Sequence, residues 1–486
     1  MLRAIRNAKP LAATVAILSL WLSGCLKVPP YQTPKTTVPE AFKETPPEGW
    51  KSAQPSDGVL RGKWWEIFGD PSLNQLEEQV AISNQNVLQA EANFREAKAL
   101  VRVQRTGLFP LVTGTPSVTG EQQSSRLASP SSGSPFANLD LPINASYTID
   151  LWGAIHRTIA AAANTAQATD AELENARLMY QAAVAQDYFQ LHGTDGDIAL
   201  LDETTKSYQE YLQLTRNRYA GGVASDSDVA QAETQLYTTQ AELVDLEVQR
   251  TQLEHAIAVL IGKSPAELSM PRAPIGVQPP AIPVEMPSVL LERRPDVAEA
   301  ERQAAAANQQ IGIAMAAFYP TLTISASAGV ESSSFLNWIT WPSRFWTIGP
   351  QLAQVLFDAG KRRATVQQYQ AAYDATAANY RQTVLTAFQQ VEDGLSALRV
   401  MEHEASVTDQ AVKAAERSLT LSRAQYLGGI VTYLQVITTQ SIALQDERSA
   451  IDLLTKRMTS SVLLIQALGG GWNASSLPTV QQVSER

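Results

Sequence analysis

Two stretches of the chain alternate between hydrophobic and polar residues. From Thr321 to Val330 every second side chain is apolar, and the positions between them are mostly Thr or Ser. The stretch from Leu139 to Leu151 alternates in the same way, with Asp140 and Asn144 on its polar face. A period of two places successive side chains on opposite faces of a β-strand. Such a strand fits a half-buried soluble sheet, and equally a membrane β-strand with its polar face towards a lumen.

Each of these strands has a predicted partner across a loop. We place the four strands at about 109–126, 138–151, 318–331 and 345–357. The first strand is the least regular, because Gly114 and Pro116 interrupt it. Four strands cannot close a membrane barrel, since the smallest bacterial barrels have about eight. If the sheet spans a membrane, several chains must contribute to it.

Long helices account for most of the remaining chain. No proline occurs from Ala154 to Tyr219, and a helix of that length spans about 100 Å at 1.5 Å per residue. Such a helix is too long for a globular core and is typical of a coiled coil. Apolar residues at alternating steps of three and four, from Val229 to Leu260, predict its returning partner. We expect Gly193 and Gly196 to loosen the long helix midway.

The order of elements occurs twice, which indicates an internal duplication. Residues 214–223 read Leu-Thr-Arg-Asn-Arg-Tyr-Ala-Gly-Gly-Val, and residues 421–430 read Leu-Ser-Arg-Ala-Gln-Tyr-Leu-Gly-Gly-Ile, at an offset of 207. Each half should contain a helix, two strands, a long helix, a Gly-Gly turn and a returning helix. We predict a first repeat over 63–270, a second over 271–472, and a mobile polar tail over 473–486.

The N-terminus carries a targeting signal. Basic residues precede an apolar core over 11–22 that is too short to span a membrane. The sequence Leu22-Ser23-Gly24-Cys25 then resembles a bacterial lipobox, which implies cleavage of residues 1–24 and a diacylglycerol on Cys25. The alternative is an ordinary cleaved signal with an incidental cysteine. Cys25 is the only cysteine, so no disulfide forms within one chain.

The mature chain begins with a Pro- and Thr-rich segment over 25–62, which we interpret as a tether or an extended wrap. Trp64 and Trp65 follow, and docking of the arm onto the helices is a simpler role for them than ligand binding. Asp70-Pro71 predicts a helix start, and we expect that helix to run to about Thr106. Removing residues 1–24 takes away three basic residues and no acids, so the net charge moves from -10 to -13. This acidity argues against nucleic acid as a partner.

The glycine pairs at 221–222 and 428–429 mark two hairpin turns, because such a reversal needs a positive φ. Asp226 and Asp228 stand where the next helix begins, and the helix dipole favours carboxylates there. Helix capping is therefore the simplest role, at least for Asp226. If the tips of a symmetric oligomer converge, each Asp forms a ring of like charges that attracts cations.

Five motifs form a distinctive set. They are Glu292-Arg293-Arg294-Pro295-Asp296, Ile311-Gly312-Ile313-Ala314, Phe318-Tyr319-Pro320, Trp341-Pro342-Ser343-Arg344-Phe345-Trp346 and Ala467-Leu468-Gly469-Gly470-Gly471-Trp472. Together they closely resemble the outer-membrane efflux lipoproteins of the TolC/OprM/NodT type. The resemblance covers the mature chain from about Arg61 to Trp472, plus the lipobox.

The resemblance implies a mainly α fold with membrane β-strands. Four strands from each chain of a homotrimer would close a twelve-stranded outer-membrane β-barrel, and the long helices would form a periplasmic α-barrel. The implied function is the exit duct of a tripartite efflux system that exports small molecules such as drugs. The implied partners are a periplasmic adaptor (membrane fusion protein), an inner-membrane RND-type pump and outer-membrane lipids. Apart from the acyl lipid on Cys25, no cofactor or metal is expected.

The resemblance also implies a closable gate at the hairpin tips. Its predicted residues are Tyr219, Gly221, Gly222, Asp226, Asp228, Tyr426, Gly428, Gly429, Leu434, Gln435 and Thr438. Tyr426 matches an aromatic position of the family, Leu434 an apolar constriction, and Asp228 an acid after the first turn. Family members often place acids where this chain has Gln435 and Thr438, so we predict a less cation-selective gate.

Two other functional classes fit parts of the sequence. An enzyme is not expected, because the four histidines lie in separate helical runs without metal-ligand spacing and no Gly-x-Ser-x-Gly motif occurs. No catalytic residue is therefore assigned. A periplasmic coiled-coil scaffold would share the lipobox and the helical seams, but it would lack the four amphipathic strands. The sequence does not identify the transported substrate.

Overall fold

The computed structural model describes residues 30–47, 62–122, 124, 126, 135–283 and 287–485. The predicted lipidation site Cys25 and most of the first strand-connecting loop lie outside the described residues. Within them, no helix is both long and apolar enough to cross a membrane.

The described residues form nine α-helices. These are α1 (Pro71–Ser83), α2 (Gln85–Arg105), α3 (Ala154–Ala220), α4 (Asp226–Leu260), α5 (Pro287–Arg293), α6 (Pro295–Ala316), α7 (Lys361–Leu427), α8 (Tyr433–Ala467) and α9 (Val480–Ser484). The duplication is visible in their lengths: α3 and α7 each have 67 residues, and α4 and α8 each have 35. Their first residues differ by the offset of 207 that the sequence predicts. The chain therefore contains two matching helical hairpins, α3–α4 and α7–α8.

One antiparallel sheet joins the helices. Its strands are β1 (Leu111–Gly114), β2 (Ser117–Glu121), β3 (Phe136–Ile149), β4 (Thr321–Ser332) and β5 (Arg344–Ala353). Both β1 and β2 pair with β3, so they are two pieces of the interrupted first strand, and β3, β4 and β5 follow in order. The predicted interruption at Gly114 and Pro116 is confirmed.

The register of the sheet keeps like residues together. Ile143 lies opposite Ala328 and Leu322 opposite Leu352, whereas Asn144 lies opposite Ser327. Directly opposed residues in an antiparallel pair share a face, so the apolar positions form one continuous surface and the polar positions the other. The predicted two-faced sheet is confirmed.

The first helical segment begins as predicted and ends earlier. Asp70 caps α1 by accepting hydrogen bonds from the backbone N–H groups of Ser72 and Leu73. The prediction of one helix to about Thr106 is wrong, because the chain breaks at Asn84. The side chain of Asn84 is the N-cap of α2, where it accepts from the backbone of Val87. Asn favours caps because it competes locally for backbone hydrogen bonds.

The glycines inside α3 tighten the packing. A Cβ added to Gly193 would lie 2.2 Å from Oγ1 of Thr455 in α8, and one at Gly196 would lie 3.3 Å from Cγ2 of Ile451. Helix α3 continues through both positions without a break. The expectation that these glycines loosen the helix is therefore wrong, because the missing side chains let α8 approach closely.

The largest core cluster lies in the middle of the helical body. Its 36 buried residues come from both hairpins and from the shorter helices. Trp64 and Trp65 are buried there, so the docking role predicted for them is confirmed. The N-terminal segment over 30–47 packs as an extended wrap: backbone N–H groups of Lys43 and Glu44 donate to the carboxylate of Glu392 at 2.7 and 2.8 Å.

A buried ion network fastens the segment between the two repeats to this middle region. Arg250 is 6% exposed, and its Nε donates to Oδ1 of Asp195 at 2.6 Å. Its Nη2 donates to the backbone carbonyl of Met270 at 2.8 Å, and the N–H of Ala273 donates to Asp195. The charges are therefore paired and their remaining hydrogen-bonding groups are used, which buried ions require.

The C-terminal tail packs against the helices. Val483 in α9 is fully buried against Val101 and Ala166, and Arg105 donates to the carbonyl of Ser484 at 3.1 Å. The prediction of a mobile tail is wrong for residues 473–485. A single apolar side chain at 483 anchors a short helix that composition alone marks as polar and free.

Candidate channel gate at the hairpin tips

The two hairpin turns have the same backbone geometry. Gly222 and Gly429 have φ of 74° and 73°, in the left-handed region that favours glycine. The N–H of Val223 donates to the carbonyl of Arg218, and the N–H of Ile430 donates to that of Gln425, at 2.8 and 2.9 Å. Both helices therefore end in the same glycine-based C-terminal motif, and the predicted turns are confirmed.

The acids after the first turn have different roles from those predicted. Ser225 is the N-cap of α4, and its side chain accepts from the N–H of Asp228. A carboxylate oxygen of Asp228 accepts from the N–H and the hydroxyl of Ser225, both at 2.9 Å. Capping therefore falls to Asp228, while Asp226 remains exposed at the first helical position. The assignment of capping to Asp226 is wrong, because only a side chain three residues after the N-cap reaches back to it.

The second turn has no such cap. Thr432 occupies the N-cap position of α8 but makes no side-chain capping hydrogen bond. The two turns thus share a backbone and differ in how the returning helix is secured. A cap contributes about 1 kcal/mol, so α8 begins less firmly than α4.

A small core lies behind the turns. Its seven buried residues are Tyr208, Leu212, Ala232, Leu236, Tyr426, Tyr433 and Val436. The rings of Tyr426 and Tyr433 lie 5.5 Å apart between centroids, and burial raises the pKa of Tyr433. Burial, together with Glu416 and Glu203, also raises the pKa of Glu447 nearby on α8. The tip core is therefore aromatic and partly polar.

The predicted gate residues occupy two different environments. Tyr426 is 4% exposed and belongs to the tip core, so within one chain its ring does not line a surface. Leu434 is 57% exposed, and Gln435 and Thr438 are exposed beside it on the outer face of α8. Tyr219 is also half exposed, on the other hairpin. The structure brings Leu434, Gln435 and Thr438 together on one face and separates them from Tyr426.

Two arginines at the tips were not predicted as functional residues. Nη1 of Arg218 donates to the backbone carbonyl of Tyr426 at 3.0 Å, and its guanidinium carbon lies 4.5 Å from the centre of the Tyr426 ring. The guanidinium of Arg423 lies 5.2 Å from the centre of the Tyr211 ring. A sequence signal existed for Arg218, because the second copy of the repeat has Gln425 at that position.

Several buried polar atoms in the tip region have no hydrogen-bond partner among the described residues. They belong to Thr205, Gln231, Ser422, Arg423, Tyr426 and Gln440. A buried polar group without a partner costs about 1–3 kcal/mol. The tip region is therefore less well satisfied than its small size would lead one to expect. No group of three or more potential metal ligands occurs in the described part of the chain.

Comparison with known proteins gives one consistent result. The family model for outer membrane efflux protein matches residues 76–263 and 286–470. The chain is 29% identical to a toluene efflux pump outer membrane protein, TtgC of Pseudomonas putida, over 97% of this chain and 98% of that protein. It is equally similar, with the same coverage, to the antibiotic efflux pump outer membrane protein ArpC, also of Pseudomonas putida.

The fold matches a solved structure along most of its length. The outer-membrane channel OprN superposes with a TM-score of 0.83 at 26% identity, covering 92% of this chain and all of that one. The similarity thus includes both the strands and the helical hairpins whose tips are described above.

Proposed function

The chain belongs to the outer membrane efflux protein family, and on that premise we propose that three copies form one gated exit duct of a tripartite pump. As an efflux channel it resides in the outer membrane and has a large periplasmic part. The trimer, the gate and the named partners are our proposals. The observation that carries them is the four-strand, two-faced sheet joined to paired hairpins with exposed apolar tips.

The sheet supports the trimer. Its apolar face is open in one chain: Val118, Ile143 and Ile348 are 68%, 62% and 67% exposed. Among the described residues, the outer strand positions, β1 with β2 on one side and β5 on the other, each have a free edge. Unpaired edges and an exposed apolar face are both costly in isolation. Three copies joined edge to edge would supply twelve strands, remove the edges and turn the apolar face to lipid.

The hairpin tips support a gate and a docking surface. Leu434 presents an apolar side chain outwards, and Gln435 and Thr438 beside it are uncharged. In a trimer we propose that these three positions form the constriction, with weaker cation selectivity than an acidic ring would give. Val223, Leu427 and Ile430 are 69%, 62% and 76% exposed at the turns, and we propose them as the surface that a periplasmic adaptor contacts.

The remaining assignments extend the same proposal. We propose that Cys25 carries an acyl lipid, on the strength of the lipobox sequence, and that the inner-membrane partner is an RND-type pump. The relatives named for toluene and antibiotic efflux support small organic molecules as cargo. We propose no catalytic activity.

Single-channel recording of the purified protein in planar bilayers tests the duct and its gate. The wild type should be nearly silent, and Leu434→Ala should raise open probability or conductance, because it removes the proposed constriction. Leu463→Ala is the matched control, since Leu463 is 47% exposed on the same helix far from the turn, and it should behave as wild type. Failure of every variant to insert and conduct would instead favour the scaffold function.

A further inference from the structure

We propose that two reciprocal arginine–tyrosine contacts, Arg218 on Tyr426 and Arg423 on Tyr211, hold the two hairpins of one chain together near their tips. We call this pair of contacts the tip clasp. It deepens the proposed gate and rests on it for its functional meaning, although its structural part is testable alone.

The tip clasp crosses between the hairpins in both directions. Helix α3 contributes Arg218 and Tyr211, and helix α7 contributes Arg423 and Tyr426. Cations within about 6 Å of an aromatic ring centre are attracted to its face, and the two guanidinium carbons lie 4.5 and 5.2 Å from theirs. Each long helix therefore supplies one cation and one ring to the other hairpin.

Arg218 makes a second connection. It donates to the backbone carbonyl of Tyr426, which lies in the last turn of α7, where carbonyls lack helical partners. A cation at a helix C-terminus also interacts favourably with the helix dipole. Arg218 thus supports the end of the second hairpin from the first, which makes it a positioning residue for the second turn.

Other charged groups do not replace this connection in the described part of the chain. Arg216, two residues from Arg218, pairs with Glu233 inside the first hairpin and does not cross. The salt bridge Arg448–Glu242 does cross, but residue 448 lies 15 positions beyond the start of α8, roughly 22 Å from the turn. Close to the turns, the contacts between cation and ring are the polar links between the hairpins.

The tip core needs such a link. It is small, and several of its buried polar atoms have no partner among the described residues, so its packing contributes little margin. A region whose packed state is only slightly favoured can adopt a second arrangement when a partner binds. The tip clasp would then set how readily the second hairpin moves away from the first.

Hydrogen exchange followed by mass spectrometry on the full trimer tests the tip clasp directly. Arg218→Gln removes the charge and the fixed guanidinium, and we expect amide exchange across residues 427–436 of the other hairpin to rise about tenfold. Arg216→Gln is the matched control and should leave those amides unchanged, because its salt bridge stays within the first hairpin. Arg218→Lys keeps a cation and should restore part of the protection.

The exchange and conductance results separate the clasp from the gate. Faster exchange at 427–436 in Arg218→Gln, with unchanged exchange over 173–191 in the middle core, supports the clasp whatever the conductance. Unchanged exchange at 427–436 overturns it. If exchange rises but single-channel conductance stays silent, the clasp stands and the gate at the tips is wrong. Should Arg218→Gln fail to form trimers, Tyr211→Leu tests the reciprocal contact by the same readout.

Discussion

The middle and the tips of the same duplicated hairpins are stabilised in different ways. In the middle, 36 buried residues pack around a fully paired ion network, and glycines allow close helix approach. At the tips, seven buried residues pack around tyrosines, with unpartnered polar atoms and arginine–ring contacts. One continuous helix therefore passes from a tightly fixed region to a weakly fixed one.

The difference indicates where the molecule can move without unfolding. Movement of packed helices starts where few apolar contacts and few satisfied polar groups would be lost. The middle region holds the hairpins in register, so the tips can separate while the body of the channel stays intact. The following substitutions test that contrast.

The largest effect is expected from Arg250→Ala in the middle region. It leaves Asp195 buried without its charge partner, which costs about 3–5 kcal/mol. Arg272→Ala is the control, because Arg272 pairs with Glu247 at the surface and should lose less than about 1 kcal/mol. Thermal unfolding midpoints in detergent measure both. Equal midpoints for the two variants would show that the ion network does not stabilise the middle.

A smaller loss is expected from Gly193→Ala. The new Cβ would meet Thr455 at 2.2 Å and force α3 and α8 apart, which costs about 1–3 kcal/mol. Gly276→Ala, which has open space around it, should change little. Adding Thr455→Ala to Gly193→Ala should recover most of the midpoint. If the double variant unfolds as early as the single one, the close approach is not the cause.

The smallest effect is expected at the tips, from Tyr426→Phe. The Tyr426 hydroxyl is buried without a partner among the described residues, so its removal should be neutral or stabilise by up to about 1 kcal/mol. Tyr208→Phe is the comparison, since that hydroxyl accepts from Gln235 at 3.1 Å, and it should destabilise by about 1 kcal/mol. Exchange protection of tip amides reports both. A clear loss of protection in Tyr426→Phe would mean that the hydroxyl is satisfied in the assembled trimer.

Local patterns determined most of the fold in advance. Periodicity of two fixed the sheet and its two faces, and the absence of proline fixed helices of about 100 Å. The repeated ten residues fixed both turns and the offset between the hairpins. These features are readable because each depends on neighbouring residues along one chain segment.

Only the tertiary structure decided the rest. Whether Gly193 loosens a helix or admits a neighbour depends on Thr455, which lies 262 positions away. Whether Tyr426 faces solvent or a core depends on α3 and α8, and so does the partnership of Arg218 with its ring. Burial and contact between distant segments are properties of packing, and a single sequence records packing only through residues that are unusual where they stand.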